Sequence, residues 1–103
     1  MSKRVISIAK DFTLFPGGRI PSDGPFSGEE FRTTFLVPVL ENKEHIVVDF
    51  DGARGYGSSF LDEAFGGLVR LGYLPQDICE YIELRSSRDS LIIEIKSYID
   101  KAC

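Results

Sequence analysis

The 103-residue chain carries 12 Lys and Arg against 16 Asp and Glu, a net charge of −4 at pH 7. That balance speaks against non-specific binding to nucleic acid or an anionic membrane surface, both of which need clustered cations. No apolar run reaches the roughly 20 residues that span a bilayer. A chain of this size reads as a single domain, 1–103, that buries enough surface to fold without metal or disulfide staples. Its two cysteines, Cys79 and Cys103, are therefore expected as free thiols of a soluble cytoplasmic protein. Cys79 is expected to pack as a small hydrophobe and Cys103 to fray with the terminus.

Arg4–Ala9 (RVISIA) alternates and is rich in β-branched residues, which predicts a first strand. From Lys10 to Phe26 the chain carries Pro16, Gly17, Gly18, Pro21, Gly24 and Pro25. This leaves a long loop, with Phe12, Leu14 and Phe15 as a short strand before Pro16. Loops of such length in small domains are often functional. Ser27–Glu30 (SGEE) is a capping box, in which the serine hydroxyl accepts from the third helical amide and Glu30 reaches back to the serine amide. In the helix that follows, Phe31, Phe35, Val39 and Leu40 fall on one stripe that covers the sheet, and Pro38 predicts a kink or a tight last turn. Glu41–Glu44 is the next turn, and His45 sits at the rim of a strand.

Ile46–Phe50, interrupted only by Asp49, predicts a strand buried on both faces of a parallel or mixed sheet. Asp51–Gly57 turns the chain, and Ser58 or Ser59 caps a second helix over 59–71. If Ser59 is the cap, Asp62 takes the capping-box position. Phe60, Leu61, Ala64, Phe65, Leu68 and Val69 form its buried stripe. Gly66 and Gly67 each cost about 1 kcal/mol against Ala inside a helix, so they mark a close approach to the sheet or to a partner. Gly72 predicts a left-handed C-cap. Leu74–Glu80 is a short connection with one helical turn, and Tyr81–Arg85 alternates as a strand. Ser86–Asp89 caps a last helix carrying Leu91, Ile92, Ile95, Tyr98, Ile99 and Ala102 at helical spacing, with a strand over Leu91–Ile95 as the alternative. The order predicts an α/β fold: a mixed, mostly parallel sheet of about four strands with three main helices, joined by right-handed crossovers. In such sheets ligands and partners gather at the carboxyl ends of the strands, here the Asp51–Ser59 loop.

The stretch VVDFDGARGYGSSFLDEAFGGLVRLG resembles the STAS domains of anti-sigma-factor antagonists, in which a strand ending in Asp leads through a short loop to an Asp-Ser-Ser-Gly helix opening. SGEEFRTTFLVPVL together with GYGSSFLDEAFGGL is similar to a STAS-like bacterial family of unknown function, over nearly the whole chain from Val5 onward. The resemblance implies a small STAS-like domain acting as a signalling module. In the signalling STAS proteins a histidine-kinase-like ATPase phosphorylates the second serine of that opening, which by position is Ser59 here. Gly57 stands where those proteins carry Asp, and Phe60 where they carry Gly.

Ser58 and Ser59 are the sharpest candidates, because a phosphate at a helix N-terminus meets free amides and the positive end of the helix dipole. Helix capping is their plainer reading. Asp62, Glu63 and Asp51 lie near in sequence and would partly repel a phosphate of about −1.5 to −2 charge, which suits a switch. Arg19 (PGGR) and Arg54 (DGAR) are candidates to neutralise a phosphate or pair with a partner carboxylate, or else to bond local carbonyls or Asp51. With Gly55, Gly57 and Phe60 they outline a contact surface over Gly55–Phe65. Asp49 and Asp51 lack a third ligand for Mg²⁺, and the phosphate-loop and dinucleotide glycine spacings are absent, so neither metal nor cofactor is expected. His45 is the only histidine, nothing in the sequence sets it beside the serines, and the cysteines lack metal-ligand or CxxC spacing. An enzyme is therefore not expected. The leading expectation is a regulatory module that binds a protein, an ATPase of the histidine-kinase-like type, and is switched at Ser59. The alternatives are a small-molecule or nucleotide-binding domain using the PGGR and Asp51–Ser59 loops, and an assembly subunit such as a homodimer.

Overall fold

The computed structural model describes residues 4–99. Strands β1 (Arg4–Ser7), β2 (Ile46–Asp49) and β3 (Ile82–Arg85) form one sheet in chain order, every pair parallel. Four helices accompany them among the described residues: α1 over 28–41, α2 over 58–70, α3 (Pro75–Tyr81) and α4 (Asp89–Ile99). The predicted α/β class holds, with three strands where about four were expected. The missing strand is the one assigned to Phe12–Phe15. The Ser7 amide donates to Asp11 (2.7 Å) and the Lys10 amide to Ser7 Oγ (3.2 Å), which curls Ile8–Phe12 into a π-helical turn. β1 thus ends at Ser7 instead of Ala9, and the Phe12 ring enters an aromatic cluster with Phe26, Phe31, Phe35 and Phe60.

Strand order equal to chain order, with crossovers of one hand, brings the helices to the same side of the sheet. Register places Ile6, Val48 and Leu84 on one face and Val5, Val47 and Glu83 on the other. Ile6, Ile46, Val48 and Ile82 belong to the core beneath the helices. Val47 is buried but lies outside that core, and Val5 beside it is 45% exposed. The expectation of a β2 buried on both faces holds, with Val47 6% exposed, although only the even-numbered residues of the run join the core beneath the helices.

α1 starts as its sequence predicts, with Ser27 Oγ accepting from the Glu30 amide (3.2 Å). Glu30 reaches past the serine to the Phe26 amide (3.2 Å). The middle of α1 widens into a π-helical segment, Arg32–Leu36. That extra residue shifts the buried stripe, so Leu36 is fully buried while Phe35 is only partly so. The wide turn directly precedes Pro38, whose ring would meet the Thr34 carbonyl of a regular helix, and the helix runs through the proline to Glu41. α2 has the same device at Asp62–Gly66, where the Gly67 amide donates back to the Asp62 carbonyl.

The two helices meet closely. A Cβ on Gly28 would stand 2.5 Å from the Phe60 carbonyl oxygen. A Cβ on Gly67 would run into the Arg32 guanidinium, and one on Gly66 would meet Asp62 Oδ1 at 2.6 Å and the Tyr98 carbonyl at 3.3 Å. The glycine pair therefore serves approach to α1 and α4 and not to the sheet. Gly72, at φ 105°, ends α2 as expected, and the Tyr73 amide closes back on the Leu68 carbonyl (3.1 Å). α3 is longer than the single turn predicted and runs without a loop into β3, taking Tyr81 out of the strand. Leu91–Ile95 is helical. Cys79 is disulfide-bonded, which corrects the expected free thiol; Ala102 and Cys103 lie outside the described residues.

Candidate functional site

The carboxyl ends of the strands carry three loops that are tied to one another. Asp49 Oδ1 accepts from the Asp51 amide (3.0 Å), and its other oxygen lies 3.4 Å from Arg85. Both aspartates thus act as loop caps. Asp51 Oδ1 accepts from the Ser87 amide and hydroxyl (3.0 Å each) and lies 3.4 Å from the Ser86 hydroxyl, joining the β2–α2 loop to the β3–α4 loop. The Ser87 amide, and then its hydroxyl, hold the Asp51 carboxyl below the usual carboxylate range. Because Ser86 Oγ accepts from the Arg88 amide (3.0 Å), it closes a local turn instead of the expected cap on Asp89. Tyr56 donates to the Phe50 carbonyl (2.6 Å) and its ring packs on Phe50 and Phe60. Burial, reinforced by Asp49 and Asp51, pushes its phenol well up, so it stays a hydrogen-bond donor.

The first loop is a strap over 13–26. Its Gly18 and Arg19 carbonyls accept from the Gly28 and Glu29 amides (3.0 and 2.9 Å), satisfying donors that a helix start leaves free. The Leu14 carbonyl accepts from the Arg54 amide (2.8 Å). Phe26 sits at φ 61°, a strained conformation for an aromatic residue, with its ring edge-on to Phe12 at 5.4 Å. The strap leaves Leu14, Phe15, Ile20 and Phe26 exposed, Phe15 to 65%.

Arg19 fastens the strap to α2, its guanidinium 2.7 Å from Asp62 and 3.8 Å from Glu63. Arg70 joins Asp62 (3.3 Å) and Glu63 (3.9 Å), and Arg32 joins Glu63 (2.8 Å). Arg19 first, and Arg70 after it, hold the Asp62 carboxyl below its ordinary value. The π-helical segment of α2 leaves carbonyls open to side chains: Arg32 donates to the Glu63 carbonyl and Arg70 to that of Asp62. Arg32 is 8% exposed and its Nε is buried without a partner.

At the start of α2 the structure overturns the serine cap. Gly57 is the N-cap, at φ −73°, and it has no side chain with which to cap. Ser58 and Ser59 are the first two helical residues, and neither hydroxyl makes a hydrogen bond among the described residues. Ser58 is exposed and Ser59 half-buried.

A family model, the STAS-like domain of unknown function (DUF4325), matches residues 27–90, more than half of the chain. The chain belongs to this family. Comparison with curated proteins and with solved structures finds no match. Within the STAS-like domain the match begins at the Ser27 cap and ends in the first turn of α4, so β1 and the strap lie outside it.

The sequence candidates of this STAS-like domain divide into three groups. Ser58, Ser59, Gly57, Gly55, Arg54 and Asp51 lie together at the carboxyl edge, in the β2–α2 loop and the helix start that follows it. Asp62, Glu63 and Arg19 are joined to one another, not left for a ligand. Phe60 is fully buried and belongs to the core, so its side chain offers no contact surface. His45 is at the other end of the sheet, its Nδ1 3.2 Å from the Glu80 carbonyl and its ring against Tyr81. No helix is long and apolar enough to cross a membrane, and no group of three His, Cys, Asp or Glu gathers around one point, among the described residues. Sequence reasoning missed Arg32, Arg70 and the exposed strap aromatics. The signal for Arg32 was its place beside the buried Phe31 on α1, which sets its guanidinium against Gly67.

Proposed function

We propose that this STAS-like domain is a non-catalytic regulatory module. It binds a protein partner through the surface formed by the first turn of α2, the Arg54–Gly57 segment and the exposed strap residues Leu14 and Phe15. Phosphorylation of Ser59, and not of Ser58 beside it, switches that binding, and a histidine-kinase-like ATPase is the partner type that the family resemblance suggests. The observation that carries the reading is the release of both serines from capping. Gly57 occupies the cap, which leaves two hydroxyls in the first turn of a 13-residue helix (58–70) without a structural task. A phosphate there meets the amides that the helix start leaves unpaired. The neighbouring Asp62 and Glu63, which were expected to repel it, are already matched by three arginines, Arg19, Arg32 and Arg70. The exposed apolar side chains of Leu14 and Phe15, held against Arg54, suit a protein surface better than a solvated loop.

The test is a crossed comparison of affinity for a histidine-kinase-like ATPase captured from the source cell with the wild-type domain as bait. Ser59→Asp is expected to weaken binding while the unfolding midpoint holds or rises, since an acid in the first turn favours the helix dipole. Ser59→Ala is expected to leave both binding and stability near wild type, because no hydrogen bond is lost. Equal affinity for wild type and Ser59→Asp would overturn the switch, and a midpoint lowered by Ser59→Ala would restore the capping role.

A further inference from the structure

Beyond partner binding, we infer that the STAS-like domain carries a binding site for a small phosphate monoester, in the cleft between the β2–α2 and β3–α4 loops. The cleft is open, with a volume of 370 Å³, and is lined by Phe50–Tyr56, Ser86–Arg88 and Leu91. Its position, outside the carboxyl ends of parallel strands, is where such sheets take ligands. The observation that points to an anion is the pairing of the arginines. Of the seven in the chain, Arg4, Arg19, Arg32, Arg70 and Arg85 each lie within ion-pair distance of a carboxylate. Arg54 and Arg88 have no such partner among the described residues, and both line this one cleft. The guanidinium of Arg54 lies 6.0 Å from the centre of the Phe15 ring, the outer limit of a cation–π contact.

The walls are braced before any ligand arrives. Asp51 ties them together through Ser86 and Ser87, and Tyr56 holds the turn through the Phe50 carbonyl. Asp51 is the one acid in the lining. Against two arginines it leaves one positive charge in excess, and the oxygen facing the serines is occupied by their hydrogen bonds. With their protons given to Asp51, the serine hydroxyl oxygens can accept from the ester's hydroxylated remainder, and the backbone of Gly52 and Gly55 lines the rest of the cleft. A planar guanidinium on either wall fits phosphate oxygens in the forked manner that arginine favours. The cleft's size is that of a small-ligand pocket.

The experiment is an amide NMR titration of the full chain, at constant ionic strength, with inorganic phosphate, AMP, glucose 6-phosphate and succinate in parallel. Saturable shifts confined to residues 50–56 and 86–91 are expected with the two phosphate esters, more weakly with inorganic phosphate, and not with succinate. Arg54→Gln and Arg88→Gln are each expected to weaken binding about tenfold, the loss of one charge-assisted hydrogen-bonded contact. Arg70→Gln, outside the cleft, is expected to leave affinity unchanged. Absence of saturation by either ester, equal response to succinate, or an affinity untouched by both cleft variants would each overturn the assignment. An inorganic phosphate response stronger than that of both esters would overturn the monoester class.

Discussion

Replacing Gly28 by Ala sets two well-defined effects against each other. Its φ lies outside the left-handed range, so Ala is allowed by the backbone. Helix propensity and the loss of unfolded-state freedom would together favour Ala by about 1 kcal/mol. The contact opposes this, since the new Cβ would meet the Phe60 carbonyl oxygen at 2.5 Å, Glu63 Cβ at 2.9 Å and the Ala64 amide nitrogen at 3.1 Å. Two of these are backbone atoms of α2, one just before its π-helical segment and one within it, and cannot swing aside. Overpacking of this kind costs roughly 1–3 kcal/mol, and with backbone neighbours the upper half applies. The net expectation is a destabilisation of about 1–2 kcal/mol. With a urea m-value of about 2 kcal/mol per M, the midpoint falls by about 0.5–1 M at unchanged slope. Gly17→Ala is the control, since nothing lies within 4 Å of its Cβ position, and it should leave the midpoint level or raise it by up to about 0.5 M through the lost unfolded-state freedom. A Gly28→Ala midpoint equal to or above wild type would refute the close packing of α1 on α2.

Gly57→Asp should stabilise by about 0.2–0.4 kcal/mol, because it supplies a missing N-cap acceptor in open space and Gly is only a little worse than Asp at that position. For a domain of this size that raises the melting temperature by about 1–3 °C. Arg32→Ala should cost about 3 kcal/mol in denaturant unfolding, through loss of the buried partner of Glu63. In acid, Asp51 and Asp62 both have folded pKa values below their unfolded ones. Their contribution is full above the unfolded value of about 3.9 and is lost as pH falls through the folded values. The Asp51→Asn, Asp62→Asn double variant should therefore show a flatter decline of stability below about pH 4 than wild type.

What the sequence disclosed followed from local chemistry. The Ser27 cap, the Gly72 terminator, the burial of β2 and the helical nature of Leu91–Ile95 each depend on residues close in the chain, and all four stand in the structure. What it concealed depended on partners far away. Phe12–Phe15 has strand composition, yet the Ser7–Asp11 bond diverts the chain before pairing begins. Phe35 had the spacing of a core residue, but the π-helical widening gave the place to Leu36. At the site, GSSF marked the right helix start and the wrong cap, because Ser58 and Gly57 satisfy the pattern equally until the backbone is seen. Arg19 and Asp62, 43 positions apart, form a pair that no local pattern could link.

The switch at Ser59 is the central claim, and intact-mass measurement after incubation with ATP and a histidine-kinase-like ATPase captured by the wild-type domain tests it most directly. Wild type and Ser58→Ala are expected to gain one phosphate each, and Ser59→Ala none. A wild-type mass that does not change, or a phosphate acquired by Ser59→Ala in the same time as wild type, would contradict it.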